Sequence, residues 1–482
     1  MKNQSKLLLQ KVYSVSSKHE KPRLWLQHLV CETAGFQPGA DLYVLVNEDD
    51  RSICVQNKPF DSVEDVYEIS VASRMNRTSG QPRPLVDTCG DRYSKILCIQ
   101  EKIEISVYHH GDFGKVVVRP LRYKLFEMDS FETNDERIRL LSICAGAGIG
   151  TACFKDTAYY SPTMEIELEE DSASVLKHNF EHSYLFIGDL RDCHTVAKAD
   201  VAFVSMPCTE FSNIGDLDQG YFQNLVLGTY KILKTAAPRV VFCENVPGFY
   251  SSVTYQDLRE LLNNDYPYIV GPLQLQSHDF GSIALRDRSY AVYFQDKADF
   301  ELFRVPKPPI VRHKKLKEFM DPRSTVHEWK SLENWHESFA KKAEKDNSWQ
   351  DRNLDKTFVD ENATMLQCIP RRYRGHSASN SYVLSADRKQ WRFLTVSELR
   401  RIFSIPDWFE FPAHVPVTRI YEMIGQSVCG RVIRAFANEI ASLFFKRFAM
   451  SSLTGRQLMK KEEEVGIPIS MDQTGQIGFI LS

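Results

Sequence analysis

No Cys-x-x-Cys pair occurs in this chain, although it carries eleven cysteines. Scattered thiols in odd number argue against a zinc site and against a purely disulfide-built scaffold, and they predict a reducing compartment. No apolar run approaches the roughly 20 residues that a membrane helix needs, so no membrane partner is expected. Met1-Lys2-Asn3-Gln4-Ser5-Lys6 lacks the apolar core and cleavage site of a secretory signal, which points to the cytoplasm. A basic excess is missing as well: 60 Lys and Arg stand against 63 Asp and Glu, for a net charge of −3. Nucleic-acid partners usually leave a basic imprint, so any such contact has to rest on local patches. Repeats and low-complexity tracts are absent.

What is present is length and apolar content. The 482 residues, 43% of them hydrophobic, are enough for two or three domains. Residues 1–130 read as mostly β, with strands expected at 42–46, 53–55, 103–107 and 115–118. The acidic stretch Phe131-Glu132-Thr133-Asn134-Asp135-Glu136 reads as a linker. Beyond it strands alternate with helices: strands at 138–144, 163–167, 201–206, 240–243 and 289–294, helices at 172–180, 222–235 and 256–262. That rhythm predicts a mostly parallel sheet covered by helices. Residues 300–390 lose it, being polar and rich in charge, aromatics and proline. Helices resume at 395–403 and 426–445, and Lys460-Lys461-Glu462-Glu463-Glu464 reads as a solvated helical turn.

Two strand-to-loop junctions carry chemistry. Val201-Ala202-Phe203-Val204-Ser205 runs into Met206-Pro207-Cys208, which places a thiol at a strand's C-terminal end, where a nucleophile is presented. Val240-Val241-Phe242-Cys243 runs into Glu244-Asn245-Val246 and presents a carboxylate in the same way. A third junction, Ser142-Ile143-Cys144-Ala145-Gly146-Ala147-Gly148, is a glycine-rich βα turn that lets backbone approach a ligand. Glu165, next to Ile166, is read as the partner of a ribose hydroxyl pair, and Asp189, next to Leu190, as an acceptor for an adenine amino group. A nucleoside ligand with no bound phosphate matches S-adenosyl-L-methionine.

In this order the segments resemble the DNA cytosine-5 methyltransferase family. Pro207-Cys208 with Phe211-Ser212 is similar to its nucleophile motif, Glu244-Asn245-Val246 to its acidic motif, and Arg286-Asp287-Arg288 to its paired-arginine motif. Arg392-Phe393-Leu394-Thr395-Val396-Ser397-Glu398 is similar to the support of its target-recognition region. Met423-Ile424-Gly425-Gln426-Ser427-Val428 is similar to the last motif, which folds back onto the cofactor. The resemblance implies a Rossmann-like α/β S-adenosylmethionine-dependent methyltransferase core over 137–295 and 391–450. It further implies an inserted target-recognition region over 296–390, a mostly β domain over 1–130 and a tail from 451. Cys208 is then the nucleophile that adds to carbon 6 of a flipped cytosine in duplex DNA, with Glu244, Arg288 and Arg286 holding the base. Cys144, Ala145, Gly146, Gly148, Glu165, Ile166, Asp189, Leu190, Pro207, Ser427 and Val428 are the expected cofactor contacts. Pro207, Ser212, Asn245, Arg371, Arg372 and Arg374 are the expected DNA contacts, and no metal is implied.

This chain departs from the family pattern where Ser142 replaces an aspartate, Cys144 an aromatic, Thr209 a glutamine and Gln426 an asparagine, and where the loop Gly215-Asp216-Leu217-Asp218-Gln219-Gly220 is acidic. Arg371-Arg372-Tyr373-Arg374-Gly375-His376 is the basic patch expected to reach DNA, with His313-Lys314-Lys315-Leu316-Lys317 as a second cluster. Gly35-Phe36-Gln37-Pro38-Gly39-Ala40-Asp41, preceded by Leu24-Trp25-Leu26, resembles the turn of SymE/AbrB-like swapped-hairpin domains; a generic small β module fits it equally. Restriction–modification or defence proteins are the implied partners, at the nucleoid of a bacterium. A catalytically impaired DNA-binding member and a tRNA cytosine-5 methyltransferase are the competing readings.

Overall fold

The computed structural model describes residues 6–451 except 62–64, 112, 124–127, 208–219, 311, 323, 326, 345–353 and 376, together with the strands Ile469–Met471 and Ile477–Phe479. Cys208, Thr209, Ser212, residues 215–219 of the acidic loop and the Lys460–Glu464 turn lie outside the described residues.

The apolar segments after residue 137 form a helix-covered sheet. Its order is Tyr268–Gln276, Asp287–Phe294, Val240–Asn245, Val201–Val204, Ile138–Ile143, Tyr160–Glu167, Tyr184–Ile187. The last five of these pair in parallel, and Asp287–Phe294 runs antiparallel to both of its neighbours. Strands buried on both faces read as continuous apolar runs, and alternate residues serve opposite faces. Leu140, Phe203 and Phe242 join the core under the helices Ile149–Lys155 and Gly430–Ser451. Leu141, Ala202 and Val241 join the core under Gly220–Ala236 and Val253–Leu262. Ile138–Ile143 lies between Tyr160–Glu167, the next strand in the chain, and Val201–Val204, which comes after Tyr184–Ile187 in the chain. The strand order therefore reverses there, and ligands of such sheets bind at the strand ends beside that point.

The sheet does not stop at Tyr184–Ile187. The N-terminal strand Lys6–Ser14 pairs with it in parallel, with Gln10 opposite Phe186. Lys6–Ser14 then pairs antiparallel with Lys102–His110, and the sheet runs on through Phe113–Pro120, Ser52–Gln56, Asp41–Asn47 and Val66–Ser70. The result is one 13-stranded sheet. Side chains fasten the junction. Buried Gln10 donates to Ser106 Oγ at 3.0 Å and accepts from Tyr184 Oη, Lys11 pairs with Glu170, and Lys102 pairs with Asp192 at 2.6 Å. The four strands expected in this part all form. The Gly35–Asp41 turn leads into Asp41–Asn47, which pairs with Ser52–Gln56 and Val66–Ser70. Phe131, expected in a linker, ends a short strand Asp129–Phe131 that pairs with Thr195–Ala197.

Lys330–Ser331, Phe358–Val359, Tyr382–Leu384 and Gln390–Arg392 form a small sheet that packs with the helix Leu332–Ala343 around Trp335, Phe358, Tyr382 and Trp391. The sequence signals no helix there, because its apolar residues pack into an aromatic cluster and do not form a long stripe. Thr395 and Glu398 form a capping box at Val396–Ile402, and buried Glu398 also takes a bidentate grip from Arg392 at 2.7 and 2.8 Å. The helix expected at 426–445 forms as Gly430–Ser451, and a further helix, Val417–Gln426, precedes it. Ser427 is extended, its hydroxyl donates back to the Ile424 carbonyl, and Gly430 packs so closely on Ser404 that an added Cβ would lie 2.3 Å from its carbonyl oxygen.

Candidate active site

The glycine-rich turn follows Ile138–Ile143. Cys144, Gly146 and Gly148 all take positive φ, at 56°, 56° and 83°. At Gly148 a Cβ would strike Leu176 and Phe180 at 2.5 and 2.7 Å, whereas Gly146 faces open space. The turn is tied to the next strand by Ala145 N–H, which donates to the Ile166 carbonyl at 3.0 Å, and by Gly146 N–H, which donates to Glu167 Oε2 at 2.7 Å. Glu167 Oε1 accepts from Glu169 N–H at 2.8 Å.

This corrects two expectations. The acid at the turn is Glu167. Glu165 is 1% exposed and lies two residues deeper on the same face of the strand, where Ser183 donates to it and its other oxygen has no hydrogen-bond partner among the described residues. Burial pushes the Glu165 carboxyl up to about 8. Ile166 is core, and it serves the turn through its carbonyl. The signal that separates Glu165 from Glu167 is position: in a buried parallel strand only the last residue reaches the open end.

Asp189 lies at the end of the third strand. Burial pushes its carboxyl up, but hydrogen bonds from Arg191 and the charge of Lys102 outweigh that and hold it below the usual range. Leu190 is buried behind it. The Cys144 thiol is pushed up by burial and by the nearby charges of Glu167 and Asp189. Val428 is buried in the same core as Ala147, and Ser427 stands at the helix break beside it. An open-faced glycine flanked by two carboxylates fits a nucleoside with hydroxyl and amino donors. A carboxylate has about four acceptor positions, so Glu167 keeps acceptor capacity for a ribose hydroxyl beyond its backbone partners.

Next to this turn stand the two chemical junctions. Glu244 ends Val240–Asn245. Ser205 donates to its Oε2 at 2.9 Å, and Arg288 Nε lies 3.0 Å from its Oε1. Pro207 is half-buried one residue before Cys208. Asn245, expected to touch the substrate, is buried; its amide donates to the Met206 carbonyl at 3.1 Å, and its oxygen accepts from Val246 N–H. It anchors the segment that leads to Cys208.

Arg286 also departs from expectation. It is 3% exposed, donates to the carbonyls of Gly425 at 3.0 Å and Ile369 at 3.4 Å, and lies over Phe403. It joins three segments. Of the basic patch, Arg371 pairs with Glu169 at 3.3 Å and reaches Glu422 at 3.7 Å, while Arg374 lies over Phe393 and Tyr421. Arg372 is exposed with no ion pair among the described residues. Tyr373 is buried and holds Ser381 and Leu394. Among the described residues no three His, Cys, Asp or Glu side chains converge as a metal site.

Residues 138–442 match the family model for C-5 cytosine-specific DNA methylases. The Type II methyltransferase M.Bsp6I of Bacillus sp. (strain RFL6) is 26% identical over 320 residues, which covers 63% of this chain and 98% of that one. M.HhaI of Haemophilus parahaemolyticus is 29% identical over 119 residues, 24% of this chain and 36% of that one. Among solved structures, the Entamoeba histolytica methyltransferase EhMeth superposes with a TM-score of 0.51 at 16% identity, over 64% of this chain and 98% of that one. A Spodoptera frugiperda DNMT2 variant gives 0.50 at 17%, over 63% and 99%.

Proposed function

The chain belongs to the C-5 cytosine-specific DNA methylase family, and from that premise we propose the roles of its residues. It is a DNA (cytosine-5-)-methyltransferase with S-adenosyl-L-methionine as methyl donor. Cys208 is the nucleophile: its thiolate adds to carbon 6 of the target cytosine and makes carbon 5 electron-rich. Glu244 holds the ring at N3 and the amino group, and Arg288 and Ser205 fix Glu244 for that task. After methyl transfer a base removes the carbon-5 proton and Cys208 departs. Bound S-adenosyl-L-methionine supplies an electrophilic methyl group. Gly146, Glu167 and Asp189 are the residues that hold it, with Ser427 and Val428 closing from the C-terminal side. The observation that carries this reading is the Ser205–Glu244–Arg288 arrangement at the open end of the strand next to the one that leads into Pro207-Cys208.

The substrate base lies in duplex DNA and is flipped out to react. Arg372 and Arg374, with Arg371, are the DNA contacts of a recognition region over 296–390, inserted between core segments 137–295 and 391–450. The Type II relatives support work in a restriction–modification or defence setting, on DNA in a bacterial cytoplasm. Among the described residues no helix is long and apolar enough to cross a membrane.

Duplex DNA carrying 5-fluorocytosine tests the reading. The wild type is expected to form a gel-stable adduct in the presence of S-adenosyl-L-methionine, and Cys208→Ser none. Adduct on tRNA alone would move the substrate to RNA, and no adduct on any duplex library would remove Cys208 from the mechanism.

A further inference from the structure

Glu167 is served by residues that the reaction itself does not use. Its Oε1 is held by the backbone N–H of Glu169 at 2.8 Å. Glu169 is the residue that opens the helix Glu170–Asn179, and its side chain reaches away from the turn. There Arg419 Nη2 meets it at 2.5 Å, and the same guanidinium holds Asp171 at 3.0 Å and also Glu422. Arg371 reaches the same two partners, Glu169 and Glu422, from the recognition region.

The network has a clear electrostatic reason. Glu167, Glu169, Asp171 and Glu422 crowd one corner, and like charges so placed repel. Burial and the charge of Glu169 both push the Glu167 carboxyl up, while the N–H groups of Glu169 and Gly146 pull it back. A planar guanidinium with five donors in a fixed fork can bind three carboxylates at once with defined geometry, where a lysine offers only a point charge with three donors. Arg419 is on the helix Val417–Gln426, against which residue 371 packs: a Cβ on Gly425 would lie 3.0 Å from the Arg371 Cα.

We propose that Arg419 is a positioning residue for cofactor binding, acting through Glu169 to aim and hold Glu167, and that Arg371 extends this strap to the recognition region. The proposal rests on the assignment of Glu167 to the ribose. Arg419 makes no contact with the turn itself, so its effect on a ligand has to travel through Glu169.

The test is calorimetric binding of S-adenosylhomocysteine to the full-length chain, which needs no methyl transfer. Arg419→Ala is expected to weaken binding about tenfold, the scale of one charge-assisted hydrogen bond, and Arg419→Lys to restore part of it. Glu169→Ala should weaken binding to a similar degree, and the double variant should be no worse than the worse single one. Methylation kinetics should show the cofactor KM rising while kcat holds. Wild-type affinity in Arg419→Ala, or losses that add in the double variant, would overturn the proposal. If the wild type binds no S-adenosylhomocysteine, or Glu167→Ala binds it normally, the assignment of Glu167 falls instead.

Discussion

Arg288 Nε lies 3.0 Å from Glu244 Oε1, with the two side chains only 14% and 6% exposed. Arg286, two residues earlier, points elsewhere. The strand starts at Asp287; Arg286 N–H is taken by the side chain of Gln276, and its guanidinium goes to the carbonyls of Gly425 and Ile369.

Substitution should separate them cleanly. Arg288→Ala removes the charge that orients Glu244 and should lower kcat about 10²-fold or more, the scale for a preorganised electrostatic partner. Arg286→Ala unties the carbonyls of Gly425 and Ile369 and should cost about 2–3 kcal/mol of stability, with a drop of several degrees in Tm. Steady-state kinetics and thermal melts on both variants check this. A stable but inactive Arg286→Ala would contradict it.

Sequence patterns revealed the chemistry better than the connections. Glu244 was legible because it closes a short apolar run, and a carboxylate at that place has few structural uses. Glu165 was mistaken for Glu167 because both flank Ile166, and only the depth of the strand in the sheet tells them apart. Arg286 and Arg288 look alike for the same reason. The junction of Lys6–Ser14 with Tyr184–Ile187 was invisible, since strands this far apart in the chain leave no local signal of their pairing. The break at Ser427 was hidden too. It depends on Gly425 and Gly430 touching Pro370 and Ser404, which are contacts between distant segments.

The two glycines of the turn should fail in different ways. Gly148→Ala adds a Cβ that meets Leu176 and Phe180 at 2.5 and 2.7 Å, on a left-handed backbone. It should be destabilising by at least about 2 kcal/mol, from overpacking on top of the left-handed penalty. Gly146→Ala meets no protein atom within 4 Å, so it should cost only about 1 kcal/mol of backbone strain. That methyl projects into the space proposed for the cofactor, and its main effect should be weaker S-adenosylhomocysteine binding. Melting and calorimetry on the pair check this; a Gly146→Ala protein with normal affinity would count against the placement.

Glu165 should make stability pH-dependent. Its folded carboxyl is pushed up to about 8 by burial, from an ordinary value near 4.5. Between those values the folded chain holds a proton that the unfolded chain has lost, so stability falls as pH rises from about 4.5 to 8 and then levels off. Lys177, which burial pushes down to about 8, acts only above that window and in the opposite sense. Glu165→Gln keeps the acceptor for Ser183 and removes the titration. A tenfold change in proton affinity is worth about 1.4 kcal/mol, so the variant should gain on the wild type by a few kcal/mol between pH 5.5 and 8. Urea unfolding at the two pH values measures it, and a pH-independent difference would show that Glu165 stays ionised.

The continuous sheet predicts that the N-terminal part and the catalytic part unfold together. Strand Lys6–Ser14 has a neighbour on each side, so removing it would bare two edges, at Tyr184–Ile187 and at Lys102–His110. Gln10 is the point at which to test this without deleting backbone. It is 3% exposed and satisfies Ser106 and Tyr184, one from each side. Gln10→Ala leaves the buried Tyr184 hydroxyl without its partner, a loss of about 1–3 kcal/mol, and removes one partner from Ser106, which keeps its bond to Glu104. If the sheet is one cooperative unit, hydrogen exchange should accelerate equally in peptides from Ser52–Gln56 and from Val240–Asn245, with both following the global stability. Faster exchange in the N-terminal strands alone would mean that the junction at Gln10 joins two independently stable bodies.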